Sequence, residues 1–248
     1  MINIDLSGKV AVITGSSRGI GYSCAEILAK CGARVVINYR NNALLSEELA
    51  HKIGSAATTF KGDVSIPEEV EKLMKYTNDK FGNIDILVNN AGTTTENNIE
   101  DLSIDDIEKV IRVNYFGSLY CCKYAIPYMK QNNNGSIINI SSTSMYSGAG
   151  GGAHYASSKA ALLGLTRNLA KDYGKYNIRT NSLAVTLVNT ELLRNRTTGD
   201  LKEKIANVPL KRLCEPEEIA YMVAFLSSSL GSYISGEVIT IDGGRTFA

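Results

Sequence analysis

No apolar stretch in this sequence approaches the roughly 18 residues that a membrane-spanning helix needs. The opening Met1-Ile-Asn-Ile-Asp5 has no basic n-region, so neither a membrane span nor a signal peptide is expected. Net charge is +1 and no long basic run occurs, which argues against a nucleic-acid surface. Cysteine is sparse and unpatterned: Cys24, Cys31, Cys121, Cys122 and Cys214 lack Cys-x-x-Cys spacing and read as reduced packing residues in a cytoplasmic protein. His51 and His154 have no ligand partner at useful spacing, so no metal site is expected, and His154 reads as a partly exposed neighbour of Tyr155. Repeats and low-complexity linkers are also absent.

What is present is enough apolar material for a large core, 44% hydrophobic residues in 248. Seven strand-like runs, starting near Val10, Val35, Thr58, Ile84, Ser136, Ile178 and Glu237, alternate with helical ones. That alternation predicts an α/β fold: one domain over 1–248, a doubly wound, seven-stranded parallel sheet with helices on both faces.

The first run, Lys9-Val-Ala-Val-Ile-Thr14, leads into Gly15-Ser-Ser17-Arg18-Gly19-Ile20-Gly21 and then a helical pattern. A strand, a glycine-rich turn and a helix start form an anion site, because glycines admit a pyrophosphate and free helix amides face its charge. In the second run, where an NAD site needs a carboxylate for the ribose hydroxyls, this chain has Tyr39 followed by Arg40. With Arg18 in the glycine loop, two guanidiniums and no acid suit a 2′-phosphate and point to NADP(H) over NAD(H). Two solvated surface arginines are the other reading.

Tyr155-Ala-Ser-Ser-Lys159 follows Ser142 by thirteen residues, and the pattern through Lys171 places Tyr155 and Lys159 on one helix face. An ammonium one turn away favours a phenolate and suits it to acid–base work near neutrality. Ser142, ending the run Ile137-Ile-Asn-Ile140, is placed to hold a carbonyl oxygen. The run Ile86-Leu-Val-Asn-Asn90 reads as a central strand ending at the ligand-binding edge, although Asn89 and Asn90 also suit a turn cap.

Together with Gly62-Asp63-Val64, Asn89-Asn90-Ala91-Gly92, Val113-Asn114 and Ile241-Asp242-Gly243-Gly244, these motifs resemble those of the classical short-chain dehydrogenases/reductases, most closely the 3-oxoacyl-carrier-protein reductases, from about Leu6 to Gly244. The resemblance implies a Rossmann-type fold and hydride transfer between NADP(H) and a carbonyl or secondary alcohol. It implies that Asp63 bonds the adenine amino group, that Val64 lines the ring, and that Asn90, Ala91 and Gly92 pass the ribose. It places Val188 and Thr190 at the nicotinamide or phosphates. Ser142 would orient the carbonyl, Tyr155 would carry the proton, Lys159 would hold the ribose, and Asn114, within one helix over Ile104–Lys130, would complete a proton relay. It also implies a homotetramer packed through the helices of Ile104–Lys130 and Tyr155–Lys175, for which Tyr115, Leu119, Leu162, Leu165 and Leu169 offer apolar surface.

One departure stands out: Val185-Thr186 replaces the family's Pro-Gly beside the nicotinamide, which predicts a displaced or more mobile segment. The stretch Gly148–Ala153 reads as a flexible loop, and 187–206, with Arg194, Arg196 and Lys202, as a helical lid or a static surface helix. Around the places where carrier-protein reductases carry Arg or Lys, this chain has Asn132-Asn-Asn134 and Tyr176, with Lys130, Lys171 and Lys175 nearby. That departure weakens the carrier-protein assignment without removing it, and by the resemblance a 3-oxoacyl thioester stays one expected substrate. A sugar, polyol or other secondary alcohol is another, and a non-catalytic NADP(H)-binding regulator is the reading of a different class.

Overall fold

The computed structural model describes residues 3–196 and 201–246, without the side chains of 195 and 196. Seven strands, β1 (Val10–Ile13), β2 (Arg34–Tyr39), β3 (Ala57–Lys61), β4 (Ile86–Asn89), β5 (Gly135–Ser142), β6 (Ile178–Val185) and β7 (Val238–Ile241), pair in parallel in the order β3-β2-β1-β4-β5-β6-β7. Each begins within two residues of its expected start. The strand order reverses between β1 and β4, and a crevice opens there at the carboxyl edge, where ligands bind in such sheets.

β1, β2 and β4 are rich in Val, Ile, Leu and Ala, and β5 carries Ile137, Ile138 and Ile140, because helices cover both faces. On one face Ile13, Ile37, Val88, Ile138 and Leu183 pack against α1 (Gly19–Lys30), α2 (Ala43–Ile53) and α10 (Pro216–Ser227). On the other, Val12, Val36, Leu87 and Ile137 meet α3 (Pro67–Phe81), α5 (Gly117–Gln131) and α7 (Gly152–Tyr173). Each fully buried Leu or Ile contributes about 1.5–3 kcal/mol to that core. Helix starts follow local chemistry. Pro67 opens α3 ahead of Glu68 and Glu69, and Ser103 caps α4 (Ile104–Ile111) by accepting from the Asp106 amide at 3.0 Å. Glu215 and Glu218 form a reciprocal capping box on α10.

Three expectations change. The helix over Ile104–Lys130 is not uniform: α4 and α5 are joined by a π-helical turn, Arg112–Phe116, that contains Asn114. The extra residue of a π turn lets Asn114, a poor helix former, aim its amide sideways into the protein. Leu162, Leu165 and Leu169 are buried against the subunit's own sheet, so they offer no surface to a second subunit. The glycine loop before α7 ends at Gly151, since Gly152 and Ala153 already belong to the helix, and the short α6 (Ser144–Ser147) precedes it. Among the described residues, no helix is long and apolar enough to cross a membrane.

Asn139 interrupts the isoleucines at the centre of β5. Its Oδ1 accepts from Asn89 Nδ2 at 2.8 Å and its Nδ2 donates to Thr166 Oγ1 at 2.9 Å, linking β4, β5 and α7 in a dry interior. Asn139→Ala removes both bonds, leaving Asn89 Nδ2 only Cys122 Sγ at 3.4 Å, and is expected to destabilise the fold by about 1–3 kcal/mol in urea titration. An unchanged midpoint would show that the network contributes nothing net.

Candidate active site

The crevice is lined along its floor by the glycine turn. Gly15 has φ +61°, and a Cβ there would lie 2.8 Å from the Ala91 Cα; one on Gly21 would lie 2.5–2.8 Å from Asn90 Nδ2, the Gly15 carbonyl and the Ser16 Cα. Only hydrogen fits at these two positions, so the β1–α1 turn closes tightly onto the end of β4. Asn90 locks that closure by donating to the Thr14 and Gly15 carbonyls at 2.9 and 3.0 Å. Arg18, the N-cap of α1, makes no side-chain cap hydrogen bond, which leaves the first amides of α1 facing the crevice. A cavity of about 300 Å³ runs from there along Tyr39, Arg40, Asp63 and Val64 and back past Asn90, Ala91, Gly92 and Thr190. The glycine cradle and uncapped amides fit a pyrophosphate.

The arginines expected at a ribose phosphate both have carboxylate partners. Arg18 meets Glu191 at 2.5 Å, and Arg40 meets Asp63 at 3.3 Å. Burial pushes the Asp63 carboxyl up, but hydrogen bonds from Ser65 and the charge of Arg40 outweigh it and hold the group below its usual range.

A second cavity, about 120 Å³, adjoins the first and shares Ile20, Asn90, Gly92, Thr190 and Leu192 with it. Ser142, Tyr155 and Lys159 line one side, and Val185, Thr186, Leu187, Val188 and Leu193 line the other. The sheet edge and α7 are fastened together here. Lys159 Nζ donates to the Ile140 carbonyl at 2.8 Å, and Ser141 Oγ donates to the Lys159 carbonyl at 2.9 Å. The Lys159 ammonium lies 5.8 Å from the centre of the Tyr155 ring. Burial draws the Lys159 pKa below the ordinary 10.5, against an opposing pull from Tyr155. Ser142 Oγ accepts from the Ser144 amide at 3.2 Å, which aims the hydroxyl at the cavity rim.

Asn114 reaches the site through the π turn. Its Nδ2 donates to the Thr93 carbonyl and to Ser158 Oγ, both at 3.0 Å, and its Oδ1 accepts from the Thr93 amide at 2.8 Å. Ser158 in turn donates to the Tyr155 carbonyl at 2.7 Å, so Asn114 braces α7 at Tyr155. Asn114 Oδ1 and Lys159 Nζ lie 3.5 and 3.6 Å from the point a Gly92 Cβ would occupy, so Gly92 sits at contact distance between the two groups.

The sequence-selected residues thus converge, with one correction. His154 is not a partly exposed neighbour; it is 5% exposed and pairs with Thr95 Oγ1 through Nε2 at 2.9 Å. Its place at the start of α7 turns it under the 93–97 loop. Ser141, Ser158, Thr93 and Glu191 escaped sequence reasoning. Ser158, one residue before Lys159, was visible in the motif, but the other three acquire a role only through the fold. The Val185-Thr186 segment is not detached: Val185 pairs with both Ser142 and Ile241, and Thr186 Oγ1 accepts from Arg245 at 3.2 Å. Leu187 follows at φ +44°, a left-handed conformation uncommon for a branched residue. Of the expected lid, residues 197–200 and the Arg196 side chain lie outside the described residues.

A parallel sheet with an anion-binding glycine turn, opening into a pocket with Ser, Tyr and Lys together, defines the class of nicotinamide-dependent oxidoreductases. Comparison with known proteins agrees. Residues 15–246 match a family model described as enoyl-(acyl carrier protein) reductase. The chain is 39% identical to an uncharacterized oxidoreductase of Thermotoga maritima, covering 98% of this chain and 99% of that protein. It is 36% identical to the 3-oxoacyl-[acyl-carrier-protein] reductase FabG of Aquifex aeolicus, with the same coverage of each. A crystal structure of the Brucella melitensis 3-ketoacyl-(acyl-carrier-protein) reductase complexed with NADH superposes with a TM-score of 0.93 at 33% identity, covering 98% of this chain and 100% of that one. The chain belongs to the short-chain dehydrogenase/reductase family. It is accordingly an NAD(P)-dependent oxidoreductase acting on a carbonyl or CH–OH group.

Because the folded state disfavours a proton on Lys159 relative to the unfolded chain, stability is expected to rise with pH between its lowered pKa and 10.5. In that window the unfolded chain binds more protons. Urea unfolding of the wild type and Lys159→Met across the window is expected to show a steeper rise for the wild type. Equal slopes would remove Lys159 as the source.

Proposed function

We propose that this enzyme reduces a 3-oxoacyl thioester to the 3-hydroxyacyl thioester with NADPH. The observation that carries the reading is the continuity of the two cavities: a dinucleotide lying along the glycine turn has its far end among Ser142, Tyr155 and Lys159. Bound there, the nicotinamide supplies the hydride. Ser142 Oγ donates a hydrogen bond to the substrate carbonyl and holds it against Tyr155. Tyr155 gives its phenolic proton to the oxygen as the carbon is reduced. Lys159 favours the resulting phenolate and holds the nicotinamide ribose, while Asn114 keeps α7 in register and leads toward solvent for reprotonation. Asp63 and Val64 receive the adenine, Asn90, Ala91 and Gly92 its ribose, and Val188 and Thr190 the nicotinamide end, while the segment over 187–206 acts as a lid.

An acyl chain is favoured over a sugar or polyol because the wall facing Ser142 and Tyr155 is mainly aliphatic, with Val185, Leu187, Val188 and Leu193. Polyol hydroxyls would lose water there without gaining partners. The thioester itself is supported by the relatives' names. Lys130 and Lys175 do not line the cavity. Both stand over Tyr176, at 4.5 and 5.3 Å, by the amino end of β5, roughly 23 Å along the strand from Ser142.

NADP(H) is preferred on the strength of Arg18 and Arg40 and the lack of an acid at the end of β2. A homotetramer is supported by the aromatic patch of the π turn and α5, where exposed Phe116 neighbours Tyr115 and Tyr120 at 5.5 and 6.0 Å. The five free cysteines suit a reducing, cytoplasmic setting.

Tyr155→Phe is expected to lower turnover by about 100-fold or more while NADPH binding, followed by fluorescence titration, stays within about twofold of wild type. Retained turnover would exclude Tyr155 as the proton donor. Reduction of 3-oxoacyl thioesters but not of ketoses by the wild type would fit the acyl reading, and activity on ketoses alone would replace it. For the cofactor, replacing Tyr39 by Asp and Arg40 by Gln is expected to move preference toward NADH by at least about tenfold. A wild-type enzyme that already binds NADH more tightly than NADPH would reverse the assignment.

A further inference from the structure

Arg18 is expected to hold the cofactor's ribose phosphate, yet its guanidinium is turned to the opposite lip of the cleft. Nη1 of Arg18 lies 2.5 Å from Glu191 Oε2, and both side chains line the dinucleotide cavity. Glu191 opens the short helix α8 (Glu191–Arg196), which forms that lip. The neighbouring side chain makes the same approach: the methyl group of Thr190 stands 3.1 Å from where a Gly19 Cβ would be. The glycine loop and α8 therefore meet at adjacent residues, one contact apolar and one ionic.

The lip has its own anchor, independent of Arg18. Asn189 Nδ2 donates to both carboxylate oxygens of Glu215, at 3.3 and 3.1 Å, and Asn189 Oδ1 accepts from Arg194 at 3.0 Å. Val188 bridges to Cys214 in parallel. Thr190 Oγ1 accepts from the Leu193 amide at 3.3 Å and holds the first turn. The Glu191 backbone is thus placed before its side chain chooses a partner. The ion pair is half-exposed on both sides, so it is a screened and readily exchanged contact rather than a structural bond. Arg40, the other guanidinium of the cleft, is likewise paired with Asp63. Each cation that a ribose phosphate would seek already faces a carboxylate.

We propose that Glu191 is a specificity-determining residue that competes with the cofactor's 2′-phosphate for Arg18. The proposal rests on the reading of Arg18 as a phosphate-binding residue. A dianionic phosphate draws Arg18 away from Glu191 and is repelled by that carboxylate, so Glu191 weakens NADPH relative to NADH. A cofactor with free ribose hydroxyls leaves the Arg18–Glu191 pair in place and the lip closed against the glycine loop. Cofactor identity is thereby transmitted to α8, at the mouth of the substrate cavity that Leu192 and Leu193 line.

The test compares wild type, Glu191→Gln, Arg18→Gln and the double variant by fluorescence titration with NADPH and NADH. Glu191→Gln is expected to tighten NADPH by about fivefold or more, the lower range of such couplings, and to change NADH by less than about twofold. The gain is expected to shrink in ~0.5 M salt and to vanish in the double variant. Hydrogen exchange of the amides of 192–194 in wild type is expected to be faster with NADPH than with NADH. Arg18→Gln checks the underlying reading separately, since it alone must weaken NADPH. If Arg18→Gln weakens NADPH while Glu191→Gln leaves the NADPH-to-NADH ratio unchanged, the competition is refuted and the phosphate assignment stands. If Arg18→Gln has no effect on NADPH, both fall. Equal tightening of both cofactors, or exchange at α8 that ignores the cofactor, also overturns the proposal.

Discussion

The reciprocal fastening of Lys159 to the end of β5 is the constraint on which the site depends. An ammonium taken out of water must be paid back with a partner, and here the Ile140 carbonyl supplies it while Ser141 returns a bond to the lysine's own carbonyl. Those two bonds set the axial position of α7 against the sheet. Tyr155, one helical turn earlier, is then carried to the same cavity as Ser142, the last residue of β5. The Asn139–Thr166 bond ties the same two elements further along, and the Lys159 fastening sets their register at the end where Ser142 and Tyr155 meet.

The second brace comes from the opposite side. A π turn gives Asn114 a direction that an α-helix would deny it, and through Ser158 it reaches the carbonyl of Tyr155. The helix bearing Tyr155 and Lys159 is therefore held from the sheet and from α4–α5 at once. The contacts of Asn114, Ser158 and Lys159 are buried and paired, which suits the proposed role of this helix in holding a proton donor at a fixed spacing.

The cofactor end is organised differently. Its backbone is as fixed as that of the catalytic end, because Gly15 and Gly21 admit nothing larger than hydrogen. Its charges are exchangeable, since Arg18 and Arg40 pair with half-exposed or partly buried acids from distant parts of the chain. The Val185-Thr186 departure falls between these regimes. The strand pairing of Val185 and the Arg245–Thr186 bond hold the segment in the cavity wall without the stiffness of proline, and the left-handed Leu187 carries the turn.

The sequence by itself determined the sheet and which residues gather at the candidate site. Val-, Ile- and Leu-rich runs between amphipathic helices leave a doubly wound parallel sheet as the arrangement that covers every apolar face, and all seven strands were legible from that pattern. The glycine turn, Ser142, Tyr155 and Lys159 were legible because their chemistry is local or follows a motif. Tertiary structure alone decided the rest. Leu162, Leu165 and Leu169 read as spare apolar surface, but the helix turns them inward. His154 read as partly exposed, but a loop 59 residues earlier covers it. Arg18 and Glu191 lie 173 residues apart, and no local periodicity records that the chain's path brings them together at one lip of the cleft. Periodicity encodes which face of an element is buried; which charges then meet across a cleft is set only when the elements pack.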